Sequence, residues 1–358
     1  MLMAINQKQE LIEADITVSR TDQYHCPACK QSVHLKRGAV MRPHFAHYQK
    51  EACDVFSEGE TEEHIQGKLQ MKAWLEAQNF EVEMEAYLPE LKQRPDLLVT
   101  INHQKIALEF QCSAISIHKV VERTQGYQRA GIQVVWMLGE HFRYNQKLTA
   151  LQKACLTNYE NRLLLFHYST TKKRLEYRYN FQLQQNKKMR QTRKILHYDS
   201  QIRLQLDKPR PLQQKINYEI DHMKLLRQLQ FPAAKTKRFL QTLYEHSETL
   251  ISMPKEIHTC VANEWLVQSH SFEWKMQFIW WLEQLPNQTI LTDKRLNKWV
   301  DQLDYHHIPQ MTTTHKLQPL KEFIDVLTDQ NVLKQIRIDK WSIKNYPKRY
   351  KRLEEKLK

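Results

Sequence analysis

Glycine is scarce: 6 of the 358 residues. This argues against the glycine-rich loops that cradle phosphates in P-loop ATPases and in dinucleotide-binding folds, so no nucleotide cofactor is expected. Long apolar stretches are also missing. No run approaches the roughly 18 residues that a membrane-spanning helix needs. The opening Met1-Leu2-Met3-Ala4-Ile5 gives way to polar residues and lacks the apolar core of a signal peptide. Six cysteines are too few for a disulfide scaffold in a chain of this length. Without an export signal a reducing, cytoplasmic location is expected, and closely spaced cysteines read first as metal ligands.

What is present is 41% hydrophobic residues, enough to bury more than one core, and a formal net charge of +14. The length suggests two or three domains. The charge is uneven: residues 1–58 are neutral, residues 59–150 carry −2 and residues 151–358 carry +16. A field of this sign favours a polyanion, with nucleic acid ahead of an anionic membrane surface. Two stretches dominate. Residues 187–210 hold 8 basic and 2 acidic side chains, which makes Lys187, Lys188, Arg190, Arg193 and Lys194 candidate DNA contacts. Residues 334–358 hold 10 and 3, with Trp341, Tyr346 and Tyr350 interleaved for stacking on bases. The plainer reading of both is a solvated surface.

Along the chain, residues 1–58 show short strand patterns and a Cys/His cluster. Residues 59–150 alternate helix and strand. Residues 151–358 read as a basic, mainly helical region preceded by a β-hairpin at about 163–179. In the first part, Cys26-Pro27-Ala28-Cys29 forms a tight knuckle with the spacing of two zinc ligands. His44-Phe45-Ala46-His47 and Cys53 follow. The favoured structural zinc set is Cys26, Cys29, His47 and Cys53, with His44 as the alternate fourth ligand. A redox CxxC pair is the competing reading, but no thioredoxin-like pattern surrounds it. So small a module would need its metal to fold.

In the second part, a helix is expected over residues 61–79, capped by Thr61. His64, Lys68, Met71 and Leu75 share one of its faces. The two polar members either snorkel at the rim of a core or point into a charged site. Three strands are expected next, around residues 82–88, 94–101 and 105–111. A two-residue turn at Asn102-His103 sets Asp96 directly opposite Glu109. Such cross-strand pairs have Cβ atoms about 5 Å apart, where like charges repel unless a cation such as Mg²⁺ neutralises them. Gln111 lies two residues beyond Glu109 and so on the same face. A slip of one residue in register would part the pair. A second helix, capped by Ser113 or Ser116, carries Arg123 and Tyr127 one turn apart, where they either approach a phosphate or form a surface pair. Gly131 ends it, and residues 133–138 read as a buried strand. Trp274 to Trp281 reads as helix core, or as a contact for a protein partner.

The order helix, three strands, helix, strand, with Arg94-Pro95-Asp96 and Glu109-Phe110-Gln111, resembles the PD-(D/E)xK (restriction-endonuclease-like) core, an α/β fold. The chain as a whole resembles the CoiA family of competence proteins of transformable Gram-positive bacteria. That resemblance rests on Cys26-x-x-Cys29, His44-Phe45-Ala46-His47, Glu60-Thr61-x-x-His64-x-x-x-Lys68, the two motifs just quoted with Cys112-Ser113, and Arg123-x-x-x-Tyr127. It implies a zinc-ribbon-like module, a nuclease-like domain and a helical C-terminal region. It also implies DNA as partner, single-stranded or as a recombination intermediate, with a recombinase or DNA-processing protein alongside. On this reading Asp96 and Glu109 bind catalytic Mg²⁺ or Mn²⁺, and Gln111, His64 and Lys68 complete the site. Gln111 stands where the nuclease pattern usually has lysine, and Lys68 is the candidate to supply the missing positive charge. The alternative is a catalytically inactive DNA-binding recombination factor that keeps the nuclease fold as a platform.

Overall fold

Asn102 and His103 both adopt left-handed backbone, with φ of 49° and 64°, the geometry of a two-residue hairpin turn. The flanking strands pair in the register that this turn dictates, with Ile101 opposite Gln104 and Leu97 opposite Leu108. The regular ladder ends there, one residue short of Asp96 on one strand and of Glu109 on the other. The structure, a computed structural model, describes residues 1–38, 42–48, 61–198, 200–210, 233–352 and 355–356. It divides into two units: residues 1–179, 192–207 and 307–310 form the first, and residues 180–191, 208–306 and 311–358 the second.

The first unit opens with five short strands: β1 (Met3–Ile5), β2 (Leu11–Glu13), β3 (Tyr24–His25), β4 (Ser32–Lys36) and β5 (His44–His47). They form an antiparallel sheet in the order β2-β1-β3-β4-β5. Its core is small, built on Ala4, Tyr24, Val33, Leu35 and Phe45.

Next come α1 (Glu62–Glu76), β6 (Glu81–Met84), β7 (Leu97–Ile101), β8 (Gln104–Gln111), α2 (Ile117–Arg129), β9 (Gln133–Leu138), α3 (Ala150–Ala154), β10 (Thr157–Tyr159), β11 (Arg162–Ser169), β12 (Arg174–Leu183) and β13 (Met189–His197). The Thr61 hydroxyl caps α1 by accepting from the His64 amide at 3.2 Å, and Ser116 caps α2 in the same way from Lys119. Gly131, with φ of +70°, ends the turn after α2. The strands make one sheet in the order β13-β12-β11-β9-β8-β7-β6, with β10 on β11. β8, β9 and β11 run parallel to one another, and α2 makes the crossover from β8 to β9.

Alternation along β8 sends Phe110 to the α1 side and Glu109 and Gln111 to the other. On the α1 side, Ile65, Met71, Trp74 and Leu75 pack with Leu97, Leu108, Phe110 and the β11–β12 aromatics. Each such side chain taken fully out of water contributes about 1.5–3 kcal/mol. On the α2 side, Trp136 Nε1 donates to Thr124 Oγ1 at 2.9 Å.

Two expectations read differently in space. The hairpin assigned to the region after residue 150 is part of the central sheet, because β11 pairs in parallel with β9. The second unit, expected to be mainly helical, also carries a small sheet. Helices Ala234–Glu245, Ser271–Glu283, Asp293–Val300 and Thr313–Asp329 pack with a three-stranded antiparallel sheet of residues 290–292, 333–337 and 340–343. Trp274 is fully buried in that core, and Trp280 and Trp281 lie partly buried against it. No described helix is long and apolar enough to cross a membrane.

Gly67 controls how closely α1 approaches β8: a Cβ there would sit 1.9 Å from the Phe110 ring. Gly67→Ala is therefore expected to destabilise the protein by about 1–3 kcal/mol, read as a lower urea midpoint.

Candidate functional site: a buried charge cluster and a Cys–Cys–His group

At the mouth of the β7–β8 hairpin, three carboxylates gather out of solvent. Asp96 Oδ2 accepts from the Phe110 amide at 2.8 Å and faces His64 Nε2 at 3.1 Å. Lys68 Nζ lies 3.8 Å from Asp96 Oδ1 and 2.5 Å from Glu85 Oε1. Glu85 Oε2 accepts from Arg94 at 2.6 Å, and the backbone amides of Leu2 and Met3 also converge on this carboxylate. Glu109 Oε1 accepts from Arg123 and, at 2.5 Å, from the Tyr127 hydroxyl. Arg123 also donates to the Arg94 carbonyl at 3.0 Å, tying α2 to the Arg94-Pro95-Asp96 segment.

The three carboxylates thus meet three permanent cations, Lys68, Arg94 and Arg123, with His64 alongside. Burial alone would raise the Asp96 carboxyl, but His64, Lys68 and the Phe110 amide outweigh it and hold the group well below the usual carboxylate range. Glu109 goes the other way: burial, with the charge of Asp96 added, pushes it up against the pull of Arg123 and Tyr127. Two oxygens, Asp96 Oδ1 and Glu109 Oε2, make no hydrogen bond within the described residues. They are hard donors of the kind a divalent cation takes.

The sequence-predicted residues therefore come together in part. Asp96, His64 and Lys68 meet on the α1 side, and Lys68 is shared with Glu85. Glu109, Arg123 and Tyr127 meet on the α2 side. Gln111 is 7% exposed, and its Nε2 donates to the Ser113 carbonyl at 2.8 Å. Tyr127 is fully buried and spends its hydroxyl on Glu109, so it does not face a phosphate in this conformation. In the basic stretch, Arg193 pairs with Glu176, Lys194 with Asp207, and Lys187 lies 3.7 Å from Glu264. Lys188 is exposed and Arg190 half-buried.

Glu85 is the functional-looking residue that sequence reasoning passes over. It ends an alternating strand pattern that sends it outward, yet its backbone turns left-handed (φ 55°) and delivers the carboxylate inward. No periodicity in the sequence marks that reversal.

The second cluster lies in the N-terminal module. Cys26, Cys29 and His47 bring one ligand atom each to within 4.8 Å of one another, and Cys29 Sγ is 3.3 Å from His47 Nε2. The knuckle is shaped by its backbone: the Lys30 amide donates to the Cys26 carbonyl at 3.0 Å, and the Cys29 amide approaches Cys26 Sγ at 3.5 Å. Burial pushes the Cys26 thiol up to about 12, so a thiolate here needs a cation beside it. Burial also lowers His47, which favours the neutral, metal-binding imidazole. Two sulfurs and a nitrogen at these separations suit a soft or borderline metal ion. His44 alternates with His47 along β5 onto the other face, and its Nδ1 lies 2.9 Å from the Arg42 carbonyl. Cys53 and Glu60 lie outside the described residues.

Family comparison bears on both clusters. Models described as "Competence protein CoiA" match as an N-terminal domain over residues 5–56, a nuclease-like domain over residues 60–209 and a C-terminal domain over residues 215–357. The chain belongs to the CoiA family of competence proteins. The Cys–Cys–His group falls in the first matched domain and the charge cluster in the second, which ends where β13 and the segment after it end. Competence protein CoiA of Bacillus subtilis (strain 168) is 34% identical over 117 residues, 33% of this chain and 31% of that relative's length. No solved structure matches the chain.

Purified protein is expected to carry a transition metal by elemental analysis. Cys29→Ser is expected to lose most of it and to lower the melting temperature of the protein.

Proposed function

We propose that the chain is a metal-dependent deoxyribonuclease of the PD-(D/E)xK type, acting in the cytoplasm on DNA taken up or recombined during competence. Asp96 and Glu109 would hold the Mg²⁺ or Mn²⁺. The observation that supports this is the presence of two buried carboxylates where the hairpin strands adjoin, Asp96 just before β7 and Glu109 in β8, each with one oxygen outside the hydrogen bonds of the described residues. When bound, such a cation lowers the pKa of a coordinated water and polarises a phosphodiester.

The protein's own groups do the rest. His64 and the Phe110 amide fix the Asp96 carboxylate from two sides. Arg123 and Tyr127 fix Glu109. Lys68 brings positive charge to within 3.8 Å of Asp96 Oδ1, close to where charge develops on the phosphate. The Gln111 amide is held by Ser113 and orients the attacking water. Cys26, Cys29 and His47, with Cys53 as fourth ligand, hold a structural zinc. Lys187, Lys188 and Arg190 contact the DNA backbone, and a recombinase or DNA-processing protein is the expected protein partner.

One observation favours the platform reading instead. Lys68 with Glu85 and Arg123 with Glu109 already neutralise buried carboxylates without a metal, and Gln111 carries no charge. The two readings separate in one assay, with wild type and Asp96→Asn incubated with single- and double-stranded DNA in Mg²⁺ or Mn²⁺. The nuclease reading expects cutting by wild type and about a 100-fold or greater loss in the variant. Equal residual activity in both, with DNA binding retained, would overturn it in favour of the platform.

A further inference from the structure

On the sheet beyond the charge cluster lies a polar cavity of about 210 Å³. Gln111 pairs across to Leu138, Leu138 to His167, and His167 to Glu176. Residues in one such row point to the same side of a sheet, so the cavity opens on the Glu109 and Gln111 face, two and three strands further along. Five cations line it, Arg143, Lys172, Arg174, Arg178 and Arg193, against only two carboxylates, Glu140 and Glu176.

The charges there are not matched. Glu176 alone accepts from Arg174 at 2.8 Å, Arg178 at 3.0 Å and Arg193 at 2.5 Å. One carboxylate cannot neutralise three guanidinium groups. The Nε atoms of Arg174 and Arg178 are buried without a hydrogen-bond partner among the described residues. His167, only 7% exposed, lines the same cavity, and among the described residues its ring nitrogens make no side-chain hydrogen bond. Burial is the main influence on this imidazole and lowers its affinity for a proton, with Arg178 acting in the same direction. Glu140, Glu176 and the Gly139 backbone act the other way, and an added anion would reinforce them.

We propose that this cavity binds a phosphate group, and that in the working protein the group is the terminal phosphate of a DNA strand. Several donors converge on a small space with surplus positive charge, and planar arginine forks match phosphate oxygens better than any neutral ligand. The volume suits a phosphomonoester with part of its sugar, whereas a duplex needs an open groove. The assignment of the phosphate to DNA rests on the nuclease or platform reading above; the anion site itself does not.

The test uses the full chain without added Mg²⁺ or Mn²⁺ and without chelator, so that the Cys–Cys–His group keeps its metal and no cutting is expected. Binding is measured for single-stranded oligonucleotides with a 5′-phosphate, a 3′-phosphate or hydroxyl ends, and for inorganic phosphate alone. One phosphorylated end is expected to bind about tenfold more tightly than hydroxyl ends, with inorganic phosphate abolishing the difference. Arg143 and Lys172 are exposed on the rim, so the double variant Arg143→Ala/Lys172→Ala should fold and lose the preference. Lys92→Ala/Lys105→Ala, an equal loss of two charges from exposed side chains that do not line the cavity, should keep it. Inorganic phosphate binding without any preference for phosphorylated ends would overturn the strand-end assignment. No phosphate binding at all would overturn the site. Asp96→Asn should leave the preference intact, and wild-type protein that fails to cut in Mg²⁺ or Mn²⁺ yet keeps the preference refutes only the nuclease reading.

Discussion

Charge taken out of water must be met by opposite charge, and this constraint organises the first unit. Removing one partner of a buried ion pair typically costs about 3–5 kcal/mol. Glu85, Asp96 and Glu109 therefore cannot be buried unless Lys68, Arg94 and Arg123 arrive with them. Meeting that requirement draws α1, the Arg94-Pro95-Asp96 segment and α2 to one place. It also recruits Leu2 and Met3, at the start of β1, whose amides donate to Glu85. The N-terminal module and the nuclease-like domain are joined by this electrostatic anchor as well as by the chain.

Much of this was legible in the sequence. The Asn102-His103 turn and the alternation around it gave the hairpin register, because a two-residue loop leaves no freedom to slip. Thr61 and Ser116 marked helix starts by short-range hydrogen bonding, and Cys26-x-x-Cys29 marked a knuckle by spacing alone. These are local signals.

What escaped was non-local. A hairpin pattern at 163–179 does not say which strand it will join, and its parallel pairing with β9 is decided by packing. Arg123 and Tyr127 were recognisable as neighbours on a helix, but their target, Glu109, is set by how α2 folds back on the sheet. Glu85 was hidden by a single left-handed residue that reverses its direction. Arg193 and Lys194 counted as free positive charge in the composition, yet Glu176 and Asp207 hold them.

The row from Gln111 through Leu138 and His167 to Glu176 has a metric consequence. Adjacent strands stand about 4.8 Å apart, and that interval is among the least deformable in a protein. On the proposed reading, a strand end seated near His167 and a bond broken near Gln111 are separated by rigid sheet rather than by a loop. Fragments released from a DNA terminus would then share one length, fixed by the backbone like graduations on a gauge.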